Sequence, residues 1–83
     1  SRVAGPDAEL IQTLMAPKLP GSQEEKKLIA LYKEAFASGA TEAEKKSVLD
    51  QFDFMITMLQ PKKGKWLKIV ATLQHVQREL AAS

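Results

Sequence analysis

The segment from Thr41 to Gln60 constrains the fold more than any other part of the chain, because it holds the densest run of large apolar side chains. At about 100° per residue, five of them fall within roughly one third of a helix circumference, which is typical of a helix that faces a core. These five are Val48, Phe52, Met55, Ile56 and Leu59. The pattern predicts a continuous central helix.

Two further apolar residues of this segment, Phe54 and Met58, fall outside the core-facing stripe and lie one turn apart. A helix with two apolar strips contacts two neighbours, or one neighbour and an outside partner. In the first interpretation the strip is covered by the first helix of the chain, since most apolar residues are buried. In the second it is open and accepts an apolar helix of a partner, a role that suits the flexible methionine side chain.

Each interpretation assigns particular residues. If the first helix covers the strip, Leu10, Leu14 and Met15 are the residues that do so. If the strip is open, the predicted protein-binding residues are Phe54, Met58, Ile11, Met15 and Leu67. A homodimer that closes the strip against itself would use the same residues.

The first helix is predicted to be short. Residues 1–5 show no periodicity, and we expect them to form a loose, flexible tail. Pro6 suits the first position of a helix, where its missing N–H costs nothing. Pro17 and Pro20 end that helix after about ten residues, so it must dock on the others to be stable.

Two helix starts carry capping signals. Ser22 with Glu25 predicts a capping box, and Thr41 with Glu44 predicts a second one. Gly39 closes the helix between them, at a position that favours a left-handed backbone. Because the connections are short, the helices they join are expected to run antiparallel.

The last helix is predicted from Trp66 to Ala81, after a turn that begins at Pro61. Its apolar side is Trp66, Ile69, Val70, Leu73, Val76 and Leu80, and its polar side is Lys68, Thr72, His75 and Glu79. Trp66 is in phase with Leu73 and Leu80, which favours a place in the core over a role as an interface anchor.

The sequence therefore predicts an all-α fold, a small antiparallel helical bundle of three long helices and a short N-terminal one, in a single domain over residues 6–83. Surface scaling for 9.2 kDa gives a folded area of roughly 4,900 Å² from an unfolded area of roughly 13,000 Å², which is enough for one modest core. The chain opens with Ser1 rather than Met, which fits a trimmed protein or a domain excised from a longer one.

The sequence gives little support for a catalytic site or a metal-binding site. There is no cysteine, and the one histidine, His75, lacks the partners that a ligand or a base requires. The carboxylates of the first helical turns are explained by capping and by the helix dipole. We expect no catalytic residue, metal or cofactor, and hence no enzyme. The absence of cysteine and of a signal peptide favours an intracellular location, cytoplasmic or nuclear.

The charge distribution is uneven: residues 1–60 carry a net charge of −2 and residues 61–83 a net charge of +4. Four lysines around the last turn could bind an anion or nucleic acid: Lys62, Lys63, Lys65 and Lys68. Binding to an anionic membrane is disfavoured, because the rest of that helix is not basic enough. The leading hypothesis is a non-enzymatic protein–protein interaction module, an adaptor, regulatory or docking domain, and the alternative is a nucleic-acid-binding domain.

Overall fold

The structure, a computed structural model, describes residues 1–83 and contains four α-helices and no strand. They are α1 (Ala4–Met15), α2 (Ser22–Ala37), α3 (Glu42–Leu59) and α4 (Trp66–Ala81). The all-α prediction is confirmed. The Cα radius of gyration is 12.2 Å, close to the roughly 12 Å expected of a compact chain of this length.

The helices do not pack in the order in which they follow one another. α4 lies against both α2 and α3, and α1 lies against α2. Gln77 of α4 donates a hydrogen bond to the Asp53 carboxylate of α3 (2.6 Å) and another to the Leu49 carbonyl (3.3 Å). α4 therefore holds α2 and α3 together, and one face of α3 has no helix packed on it.

An aromatic cluster lies at the centre of the core. Tyr32 and Phe52 are fully buried, and their rings meet edge to face with centroids 5.9 Å apart. The Phe36 ring is tilted against Tyr32, with centroids 6.3 Å apart. Such pairs contribute about 0.5–1.5 kcal/mol beyond their buried area. The cluster joins α2 to α3 directly through side chains.

The predicted core-facing stripe of α3 is turned inward. Val48, Phe52 and Ile56 are buried, while Met55 and Leu59 are half-buried and packed against the core. The periodicity of the segment was therefore a reliable guide to which side of this helix is buried.

One residue assigned to the polar side of the last helix is in fact buried. Thr72 is 7% exposed, although Lys68, His75 and Glu79 are exposed as expected. The physical reason is its phase: Thr72 lies only about 40° from Val76 around the helix, at the edge of the apolar stripe. Trp66 is half-buried against the core, with the Lys65 ammonium 5.3 Å from its ring centroid.

The capping box predicted at the start of α3 is confirmed. The Glu44 amide donates to the Thr41 hydroxyl (3.0 Å), and the Thr41 amide donates to the Glu44 carboxylate (2.9 Å). Gly39 has φ of +116°, as its predicted left-handed position requires.

The box predicted from Ser22 and Glu25 is wrong by one residue. Gly21 is the N-cap, and its amide donates to the Glu24 carboxylate (3.2 Å). Glycine has no hydroxyl to complete the box, so only the carboxylate half of the motif forms. The extended backbone of Gly21 explains the shift, because it lets Ser22 enter the helix as its first residue.

The N-terminal residues differ from the predicted loose tail. α1 begins at Ala4, Val3 is buried in the core, and Pro6 is the third helical residue rather than the first. Pro6 is still within the first turn, where a missing N–H breaks no intrahelical bond. The Ser1 hydroxyl and the Arg2 amide both donate to the Glu44 carboxylate, at 2.9 and 3.3 Å.

Glu44 thus links the start of α1 to the start of α3. The backbone hydrogen bond from Thr41, followed by the bond from the Ser1 hydroxyl, lowers the pKa of the Glu44 carboxyl below its ordinary value. Each donor stabilises the ionised form.

We expect Phe52→Ala to lower the free energy of unfolding by about 3–5 kcal/mol, because it leaves a cavity in the core. Phe54→Ala, two residues away, changes an exposed side chain and should stay within about 0.5 kcal/mol of the parent. Chemical denaturation followed by circular dichroism measures both, with Phe52→Leu as a milder variant if Phe52→Ala does not fold. Equal losses at the two positions would contradict the orientation of α3.

The lowered pKa of Glu44 predicts a pH dependence of stability. The ionised carboxylate contributes fully above the pKa that it has in the unfolded chain, and the contribution is lost as the pH falls through the lower folded-state pKa. We expect Glu44→Gln to flatten the acid side of the stability profile, measured as denaturation midpoint against pH. The matched control Glu79→Gln removes an exposed acid elsewhere and should keep the parent profile.

Candidate interaction surface

Six large apolar side chains are exposed in the folded chain. They are Ile11 (52%), Met15 (78%), Leu19 (38%), Phe54 (65%), Met58 (52%) and Leu67 (59%). The total accessible surface is 5360 Å², above the roughly 4,900 Å² expected from the mass. All five side chains that the sequence assigned to a protein-binding surface are among the six.

Phe54 and Met58 lie on the side of α3 that faces away from the core. Phe54 is about 160° around the helix from the buried Phe52, and Met58 follows Phe54 by one turn. The interpretation in which the first helix covers this strip is wrong. Leu10 is buried in the core and Leu14 is packed against it, because α1 docks on α2 rather than on the outer face of α3.

Ile11 and Met15 follow Asp7 along α1 at spacings of four residues. The Tyr32 hydroxyl donates a hydrogen bond to the Asp7 carboxylate, and the Tyr32 ring contacts Phe52 of α3. Asp7 therefore marks the side of α1 that faces the buried Tyr32. Ile11 is one turn beyond Asp7, and Met15 one turn further, each displaced by about 40° toward solvent.

The pair Ile11 and Met15 on α1 and the pair Phe54 and Met58 on α3 lie at similar distances from the starts of their helices. α1 and α3 begin at the same end, since Ser1 and Arg2 bond to Glu44. At a rise of about 1.5 Å per residue, Met15 is roughly 17 Å from the start of α1 and Phe54 roughly 18 Å from the start of α3. We call Ile11, Met15, Phe54 and Met58 together the outer apolar surface.

Two exposed apolar residues lie nearby in the chain but outside this definition. Leu67 is in the first turn of α4, shortly after α3 ends. Leu19 lies in the connection between α1 and α2, and sequence reasoning missed it. The sequence feature that could have revealed Leu19 is an apolar residue between two prolines in a loop. Helical periodicity does not apply there, so it could not predict whether the side chain is buried.

The four lysines proposed for anion or nucleic-acid binding are all exposed: Lys62, Lys63, Lys65 and Lys68. None forms an ion pair; the three salt bridges of the structure involve Lys27, Lys45 and Lys46. Lys65 lies over one face of the Trp66 ring. The lysines therefore form an uncompensated basic cluster at the end of the molecule where α3 ends.

No group of three or more His, Asp and Glu side chains is placed to hold a metal ion, and His75 is exposed. Burial, and then the hydrogen bond to Asp7, raises the pKa of Tyr32, so its hydroxyl stays protonated and holds α1 to α2. The surface has three open depressions, and none includes a residue of the outer apolar surface.

Comparison with known proteins found no matching family model, no similar curated protein and no similar solved structure. None of the four helices is long and apolar enough to cross a membrane.

Proposed function

We propose that this chain is a non-enzymatic protein–protein interaction module that binds through the outer apolar surface. One observation carries the proposal: Phe54 and Met58 are more than half exposed, one turn apart, on a helix whose opposite side carries the buried Val48, Phe52 and Ile56. A folded chain of this size has little apolar area to spare, and exposing it is unfavourable unless something binds there. An adaptor, regulatory or docking domain is the class of protein that this surface fits.

The arrangement of the surface supports an apolar helix as the ligand. Phe54 and Met58 on α3, with Ile11 and Met15 on α1, are two rows of apolar side chains at helical spacing. An amphipathic helix presents its own apolar side chains at the same four-residue spacing, so it can pack along either row. Burying a Phe or Met side chain fully contributes about 1.5–3 kcal/mol, so these two α3 residues supply a useful part of a binding energy.

An antiparallel bundle is the scaffold that we propose for this surface. Asp7 pairs with Tyr32 and Glu9 pairs with Lys27, so positions rising along α1 match positions falling along α2. In the same way, Glu42 at the start of α3 and Ala81 at the end of α4 line one depression. Both observations support opposite directions for neighbouring helices.

Site-specific photocrosslinking tests the proposal. A photoreactive amino acid at position 54 should give a discrete crosslinked product that the same probe at position 75, on the exposed side of α4, does not give. The captured protein is then purified and titrated against the parent chain. We expect Phe54→Ala with Met58→Ala to weaken binding at least about tenfold, since central apolar anchors dominate such interfaces.

The matched control is His75→Ala with Lys33→Ala, two substitutions at exposed positions away from the outer apolar surface. Circular dichroism establishes that both double variants are folded. Unchanged affinity in the folded Phe54→Ala, Met58→Ala variant would contradict the proposed site.

Nucleic-acid binding through the basic cluster is the second candidate, and the absence of ion pairs at Lys62, Lys63, Lys65 and Lys68 favours it. It predicts that affinity for a short duplex falls steeply as salt rises, because counterions are released from the phosphates. Replacing one lysine with glutamine should reduce the slope of log K against log salt by about one. Fluorescence anisotropy at several salt concentrations measures this, and binding that is absent or insensitive to salt would contradict it.

A further inference from the structure

The outer side of α3 is complementary to itself when two copies run in opposite directions. Phe54 and Met58 are equally far from Ile56, one on each side. If two α3 helices pack antiparallel through their outer sides, with the axial level of Ile56 at the two-fold axis, Phe54 of one copy meets Met58 of the other and the same contact repeats across the axis. Ile56 itself stays in the core. This reciprocity is what a symmetric dimer interface requires. A methionine sulfur against an aromatic ring is a favourable pair.

The charges along this part of the chain are complementary in the same arrangement. Residues 42–53 hold four carboxylates against two lysines, a net charge of −2, while residues 54–68 hold four lysines and no acid, a net charge of +4. Two antiparallel copies bring the part of the acidic half nearest Phe54, which includes Asp50, toward the basic cluster of the other, at both ends. Two parallel copies would bring the basic clusters together, which is unfavourable.

One pair illustrates the match. In this arrangement Asp50 of one copy lies beyond the C-terminal end of α3 in the other, on the side of the turn that carries Lys62. Asp50 is exposed and already bonded to Lys46 at 2.8 Å, and a carboxylate can accept from a second ammonium. The Lys62 side chain is exposed and has no partner within its own chain.

We propose that the occupant of the outer apolar surface is a second copy of this chain, bound as an antiparallel, two-fold symmetric pair through α3. The proposal rests on the proposed function, whose partner it names. Phe54 and Met58 together expose roughly 200 Å² per copy, whereas a standard interface buries about 800 Å² on each partner. The dimer is therefore weak and reversible, with dissociation in the micromolar range or above.

Sedimentation equilibrium of the purified chain, from about ten micromolar to one millimolar, tests the proposal directly. The weight-average mass should rise toward twice 9.2 kDa as concentration rises, and added salt should weaken the association because charges contribute to it. Phe54→Ala with Met58→Ala should raise the dissociation constant at least tenfold. A mass that stays at the monomer value throughout this range overturns the proposal.

Charge reversal tests the register. Asp50→Lys and Lys62→Asp should each raise the dissociation constant several-fold, and the two together in one chain should restore it, because each copy then carries the exchanged pair. The matched controls are Glu79→Lys and Lys33→Asp, which make the same charge changes on the outer sides of α4 and α2 and should leave dimerisation as it is. Dimerisation without rescue in the doubly reversed chain would overturn the antiparallel register.

The outcomes separate this inference from the proposed function. A chain that is monomeric at one millimolar, yet crosslinks through position 54 to a different protein, overturns the homodimer and leaves the interaction module in place. A monomer that also gives no crosslink dependent on Phe54 and Met58 overturns both.

Discussion

The hydrogen bond from the Tyr32 hydroxyl to Asp7 is the interaction on which the arrangement of the helices most depends. The Tyr32 ring fills the centre of the core against Phe36 and Phe52, and a phenol placed there needs a hydrogen-bond partner. Leaving it unpaired would cost about 1–3 kcal/mol. Asp7 of α1 supplies the acceptor, and this draws the first helix against α2. A short helix that is marginal alone is thereby held by one polar contact and by Leu10 in the core.

The position of α1 leaves the outer side of α3 exposed to solvent. Because α1 is committed to α2 at Asp7 and tied to Glu44 at its start, it cannot also lie across Phe54 and Met58. Two sides of α3 are used by the core and by α4, and the remaining side is left to solvent. The apolar character of that side and the absence of a helix on it are the basis for proposing a binding role.

Charge and apolar surface meet at the same end of the molecule. The uncompensated lysines follow directly after the helix that carries Phe54 and Met58, so any partner of this region meets both. If the partner were an uncharged apolar helix, the lysines would stay solvated and would contribute nothing to the binding free energy. A partner with carboxylates beside its apolar side chains would gain from both, and the acidic half of α3 in a second copy has that composition.

Periodicity and composition were enough to predict four helices, the inward stripe of α3 and the capping box of Thr41 and Glu44. These features are local: they depend on spacing along one helix and on hydrogen bonds between residues three apart. The start of α2 at Gly21 rather than Ser22, the burial of Thr72, and the burial of Val3 in a segment expected to be loose were not predicted. Each depends on a contact with another part of the chain, or on a difference in angle around the helix that is too small for sequence periodicity to resolve.

By itself, the sequence determined that Phe54 and Met58 lie off the core-facing stripe, because the helical repeat leaves them no other position. It left open whether the first helix covers them, since Leu10, Leu14 and Met15 have the spacing that such a cover requires. Only the tertiary structure decided this. The hydrogen bond between Asp7 and Tyr32, and the packing of Leu10 in the core, place α1 on α2, and docking depends on contacts between residues far apart in the chain that no local pattern encodes.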